Sequence, residues 1–145
     1  MNKGLEEEIY ARILEGSVYE DYWGMAYVRV TDIEDIFKNL YGKLLDADLL
    51  DTEAMVNRPM YHYRTLLLRS GAKFRLDTVD DKSLEGGIPA HDYAGHRFTD
   101  ILFDIDFNSD EDGQPILDGR DYDTQLLYMM TRLRSTCKQA RFQIL

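Results

Sequence analysis

Apolar residues recur every three or four positions in some stretches of this chain and every second position in others, so helices interleaved with strands are expected. Leu5, Ile9, Ile13 and Leu14, with acids in the first turn, predict an amphipathic helix over 4–15 that closes at Gly16. Met25 to Val30 alternates as a strand. Thr31-Asp32-Ile33-Glu34 has the form of a capping box, and Ile33, Ile36, Phe37, Leu40, Leu44 and Leu45 carry a helical stripe to about residue 46. A further helical turn is expected at Thr52 to Val56, before Pro59. Tyr61 to Leu68 and Lys73 to Val79 flank the turn signal Ser70-Gly71 and predict a β-hairpin. In Ile101 to Phe107, alternation sends Ile101, Phe103, Ile105 and Phe107 to one face and Leu102, Asp104 and Asp106 to the other. A helix from Asp121 to about Lys138, with Leu126, Leu127, Met130, Leu133 and Cys137 on one side, then leads into a strand at Arg141 to Leu145. The pattern predicts an α/β (α+β) fold, with a mixed or antiparallel sheet flanked by helices and residues 1–145 as one folding unit.

Charge narrows the function classes. Twenty-seven acids against seventeen Lys and Arg give a net charge of −10, which repels phosphate backbones unless cations cluster locally or metal ions intervene. Cys137 is the single cysteine, so neither a disulfide framework nor a cysteine metal site is expected. No long apolar run is present, and the opening Met-Asn-Lys-Gly-Leu followed by three glutamates lacks the apolar core of a signal peptide. The expectation is a cytoplasmic chain with no membrane association.

The candidate chemistry centres on Asp104 and Asp106. A strand that buries apolar residues on one side holds two carboxylates at a set spacing on the other, as hard divalent cations such as Mg2+ or Mn2+ require of oxygen ligands. The alternative is that both aspartates lie on the solvated face of a half-buried strand. Positive charge collects in the hairpin at Arg58, Arg64, Arg69, Lys73 and Arg75; His62 and Arg64 would share a face suited to a phosphate, or simply a solvated one. Tyr19, Tyr22 and Trp23, with acids beside them, suit a core plug better than a base-stacking platform. Thr78 to Thr99, with Gly86-Gly87, Pro89 and Gly95, reads as a long surface loop holding His91 and His96. Asn108, Asp110, Asp112 and Gly113 occupy positions 1, 3, 5 and 6 of a calcium loop, which makes Ca2+ the alternative ion; position 12 is Gly119 where a glutamate belongs, with Asp118 one residue early.

The order of strand, acidic loop, long helix and strand, with Leu102-Phe103-Asp104-Ile105-Asp106 in its first strand, resembles the catalytic core of the archaeo-eukaryotic primase superfamily, which includes the primase-polymerases of phages and plasmids. The resemblance spans residues 97–145 at motif level. It implies that Asp104 and Asp106 are catalytic, binding Mg2+ or Mn2+ for nucleotidyl transfer, with DNA template and nucleotides as partners. The family continues with a Ser-Gly-x-x-Gly-x-His motif and a further aspartate, neither of which this sequence contains. The expectation is therefore the N-terminal part of a split catalytic core, a nucleotidyltransferase only together with a second polypeptide that completes its site; the strand at Arg141 to Leu145 is expected either to pair with that polypeptide or to dock into this chain's own sheet. The competing expectations are an acidic, non-catalytic interaction protein that imitates nucleic acid, and a structural calcium-loop module.

Overall fold

The computed structural model describes residues 3–57, 64–78, 98–107, 109, 112 and 140–145. Helix α1 (Lys3–Gly16) leads into strand β1 (Trp23–Val28), followed by helices α2 (Ile33–Asp46) and α3 (Thr52–Asn57) and strands β2 (Thr65–Leu67), β3 (Lys73–Thr78), β4 (Asp100–Phe103) and β5 (Arg141–Ile144). The strands form one five-stranded sheet in the order β2-β3-β1-β4-β5. β3, β1, β4 and β5 run parallel, while β2 pairs antiparallel with β3 to make the expected hairpin. The fold is α/β with a mixed sheet.

Register places residues in rows across the sheet. Gly24 lies opposite Phe74 on β3 and Asp100 on β4; Ala26 lies opposite Leu76 and Leu102; Val28 lies opposite Thr78. These rows face α1 and α2. Leu5, Ile9 and Ile13 of α1 and Ile33, Ile36, Leu40 and Leu44 of α2 enter the same buried cluster as Ala26, Val28, Phe74, Leu76 and Leu102. The helical stripe seen in the sequence is thus the face laid on the sheet, and Glu6 joins the two helices by bonding Asn39 at 2.8 Å and Lys43 at 3.2 Å. On the opposite face Tyr27 stacks on Phe103, Phe103 meets Phe107 edge-on, and Trp23 packs against Phe98. Helix α2 closes with Asp48 at φ 58°, where the Asp48 N–H donates to Leu45 O and the Leu49 N–H to Leu44 O. Gly71, at φ 98°, supplies the left-handed residue of the hairpin turn.

The aspartate strand departs from its expected form. β4 stops at Phe103, and all four of its residues are buried. Leu102 is core, not a neighbour of water, because a parallel strand in the middle of this sheet has apolar layers on both faces and no solvated side. Beyond Phe103 the chain turns: the Phe107 N–H donates to Asp104 O at 2.9 Å, Ile105 becomes 53% exposed, and Phe107 returns to the interior. Asp104 and Asp106 are therefore not two positions of one strand face.

Other elements lie close to expectation. β1 begins and ends two residues earlier than its alternation suggested, α3 forms with Asp51 capping it through the Ala54 N–H at 2.9 Å, and β5 docks on β4 of its own chain. The predicted helix from Asp121 to Lys138 and the loop histidines His91 and His96 lie outside the described residues.

Candidate functional site

In an open sheet of parallel strands, ligands settle where neighbouring strands send their connections in opposite directions, at the carboxyl ends. Here that place is between β1 and β4. The chain leaves β1 through α2 and α3 towards β2 and β3 on one side, whereas β5 lies on the other side of β4. Asp104 is the first residue past the end of β4 and Asp32 the last before α2, so both stand at this crevice.

Asp104 is 1% exposed. Its backbone N–H continues the ladder to Tyr27 O at 2.9 Å, and its Oδ1 accepts from the Asp106 N–H at 3.2 Å. An aspartate that bonds the amide two residues on closes a turn, which is the local reason the strand ends here. Burial pushes the Asp104 carboxyl above the usual carboxylate range; the Asp106 N–H opposes the shift, the charges of Asp106 and Asp32 add to it, and Arg29 again opposes it. Asp106 is exposed, and its backbone fixes Asp104 while its own side chain is left to solvent.

Sequence reasoning missed Asp32. The capping box does not form: Asp32, not Thr31, precedes the helix, at φ −105° and ψ −17°, and it makes no side-chain cap bond. Glu34, the expected reciprocal member, instead pairs with Arg64 at 2.7 Å. Asp32 is 8% exposed; Thr31 Oγ1 lies 3.4 Å from its Oδ1, and its Oδ2 is buried with no hydrogen-bond partner among the described residues. The signal available in the sequence was an aspartate between the end of an apolar strand and the first turn of a helix, a position that is structural in most folds and ligand-facing when the strand is parallel and central.

Of the other proposed site residues, Arg64 lies at the start of β2, which the antiparallel pairing brings to the same edge of the sheet; its guanidinium is held by Glu34 and its φ is 54°. His62, Asn108 and Asp110 lie outside the described residues. Asp112 is an exposed turn residue.

The donors present suit a hard divalent cation: oxygen only, two of the three carboxylates buried, one of them with an orphan oxygen. Among the described residues no group of three or more His, Cys, Asp or Glu side chains that could hold a metal ion is found.

The opposite end of β4 carries a second buried acid. Asp100, 0% exposed, accepts from Tyr22 Oη at 3.1 Å, from Arg12 Nη1 at 3.4 Å and from Arg141 Nη2 at 3.5 Å. Burial, then the charge of Asp100 and the bond to it, push the Tyr22 phenol far above its usual range, so Tyr22 is a fixed proton donor. Tyr22 is the plug the aromatic cluster predicted, while Tyr19 beside it is exposed. Arg12 and Arg141 also line a cavity of about 240 Å³ with Glu15, Tyr19 and Thr99.

The fold and the site define an α/β protein with buried carboxylates at the carboxyl ends of its central parallel strands. No family model, curated protein or solved structure matches the chain.

Proposed function

We propose that this chain is the metal-binding part of a primase-polymerase-type nucleotidyltransferase, in which Asp104 and Asp106 hold Mg2+ or Mn2+ and a second polypeptide supplies the groups that grip the nucleotide. The observation that carries the reading is the place of Asp104: buried, at the end of a central parallel strand, with its carboxyl pushed above the usual carboxylate range chiefly by burial. When bound, the ion would lower the pKa of an attacking hydroxyl and neutralise triphosphate charge. The chain's own contribution is positional. β4 fixes the backbone of Asp104, and the Asp106 N–H orients its carboxylate. DNA and nucleotides reach a surface of net charge −10 through the ion and through cations of the partner.

Manganese titration by calorimetry tests the reading. The wild-type chain should bind Mn2+, and Asp104→Ala with Asp106→Ala should abolish binding; unchanged affinity removes the metal site. In mixtures with a polypeptide that carries the Ser-Gly-x-x-Gly-x-His motif, primer extension should require Asp104. Should Asp104→Asn leave extension intact, the acidic interaction protein becomes the better account, since its −10 charge needs no ion.

A further inference from the structure

At the amino ends of β1, β4 and β5, the cavity of about 240 Å³ opens between the last turn of α1, the turn before β1 and the starts of β4 and β5. Arg12, Glu15, Tyr19, Asp21, Tyr22 and Arg141 line it. Pockets for drug-sized molecules run to roughly 300–1,000 Å³, so this one suits a ligand the size of a single amino acid.

The two arginines are positioned but not used up. Asp100, fully buried, takes its shortest side-chain bond from Tyr22 Oη at 3.1 Å. The guanidinium groups stand further off, Arg12 Nη1 at 3.4 Å and Arg141 Nη2 at 3.5 Å, where a charge-assisted bond ordinarily closes to about 2.7–2.9 Å. Among the described residues the Arg12 guanidinium meets no acceptor besides Asp100, and that of Arg141 none besides Asp100 and Glu15. A guanidinium has N–H donors to spare after such contacts. Two guanidinium groups about one carboxylate also leave one positive charge in excess, which suits a monoanion.

Glu15 and Asp21 narrow the choice. Both are exposed residues of the same lining, and Glu15 Oε1 lies 4.0 Å from Arg141 Nη2. With Asp100 they outnumber the two arginines, so phosphate or any other dianion is repelled. A ligand that carries an ammonium beside its carboxylate is not, because each of its charges meets the opposite one. The exposed Arg141–Glu15 pair contributes little to stability, so a ligand parts it at small cost. Tyr19, 60% exposed, adds an aromatic ring at the rim for the ligand's side chain.

We propose that this cavity binds a free α-amino acid, its carboxylate bridged by Arg12 and Arg141 and its ammonium held by Glu15 and Asp21. The site stands at the other end of the sheet from Asp104 and does not rest on the metal-binding reading.

Calorimetry with glycine, L-leucine, L-phenylalanine and L-lysine as separate titrants tests the proposal. At least one should bind with a Kd below about 1 mM. Its amide, which lacks the carboxylate, and its deaminated acid, which lacks the ammonium, should each bind at least about tenfold more weakly, the loss of one charge-assisted bond. In ¹H–¹⁵N spectra the amides of Gly16, Asp21 and Thr99 should shift with the amino acid, and that of Asp106, beyond the far end of β4, should not. Glu15→Gln should weaken the amino acid about threefold or more and strengthen the deaminated acid. Arg141→Gln should weaken both at least about tenfold, while Asp35→Asn, exposed at the start of α2, should change neither by more than about twofold. Thermal melts check that the variants fold; should Arg141→Gln fail to, Arg141→Lys keeps the charge beside Asp100, loses the planar fork and takes its place with the same expected loss. The proposal is overturned if none of the four amino acids binds, if inorganic phosphate or the deaminated acid binds more tightly, if the shifts fall at Asp106, or if Glu15→Gln leaves both affinities unchanged.

Discussion

The two ends of β4 carry buried aspartates in opposite circumstances, and replacing each by asparagine should change stability in opposite directions. Among the described residues Asp100 faces donors only: the Tyr22 hydroxyl at 3.1 Å and the guanidinium groups of Arg12 and Arg141 at 3.4 and 3.5 Å. The arginine contacts are long for charge-assisted bonds, and both side chains reach solvent, so most of their loss is recovered by hydration. What remains is one buried bond from Tyr22 to a charge, about 1.5–3 kcal/mol, together with an amide N–H₂ turned towards donors. Asp100→Asn should therefore destabilise by about 2 kcal/mol. Asp100→Ala, which strands Tyr22 and Arg12 around a void, should destabilise by about 3–5 kcal/mol, a large part of the ~5–15 kcal/mol that holds a domain together. At Asp104 asparagine keeps the acceptor for the Asp106 N–H and removes a charge that burial, Asp106 and Asp32 all disfavour, so without metal it should stabilise. The sign follows from linkage. The folded-state pKa of Asp104 is raised, so its contribution is fully present below the ordinary carboxyl pKa and is lost as pH rises; the advantage of Asp104→Asn should vanish near pH 3 and grow towards neutrality. Urea unfolding in EDTA, followed by the fluorescence of the single tryptophan, Trp23, packed on Phe98, reads both variants. An Asp100→Asn protein as stable as the wild type with unchanged m, or an Asp104→Asn protein that loses more than about 1 kcal/mol at pH 7, refutes this account of the sheet's two ends.

Tyr22→Phe should destabilise by about 1.5–3 kcal/mol at neutral pH, and because the Tyr22 phenol is held far above its usual pKa, tyrosinate absorbance of wild type and variant should coincide between pH 9 and 11 while both stay folded; an extra ionisation in the wild type contradicts this. Gly24→Ala should destabilise by about 1–3 kcal/mol, since the new Cβ falls on the Phe74 ring and 2.5 Å from Tyr22 Oη, a loss readable as a lower melting temperature. Asp48→Gly should stabilise by about 0.5 kcal/mol in urea unfolding, because φ 58° favours glycine and the pair Asp48 forms with Arg69 is exposed; a loss above about 1 kcal/mol shows that the pair matters more than the backbone.

What the sequence discloses depends on how local each feature is. The stripes of α1 and α2 and the turn of the β2–β3 hairpin are set by residues within a few positions of one another, and all three elements are where periodicity placed them. The form of β4 is set by neighbours, β1 and β5, that are distant in the chain, and nothing in Ile101 to Phe107 announces that both its faces are covered. Asp32 satisfied a local rule for helix starts, yet its side chain makes no cap bond. Asp100 had no local signal at all, because its partners stand at positions 12, 22 and 141.

The placement of β1 in the middle of the sheet also has a consequence for synthesis. Both of its hydrogen-bonding edges are completed by strands that follow much later, β3 and β4, so β1 leaves the ribosome apolar and unpaired on either side. At about 5–20 residues per second, several seconds pass before β3 emerges and more before β4 does. Helices α1 and α2 can cover one of its faces in that interval, but neither can occupy its edges. The nascent chain should thus pass through a state that binds hydrophobic-strand chaperones at residues 23–28 and releases them only once residues 100–103 have been made.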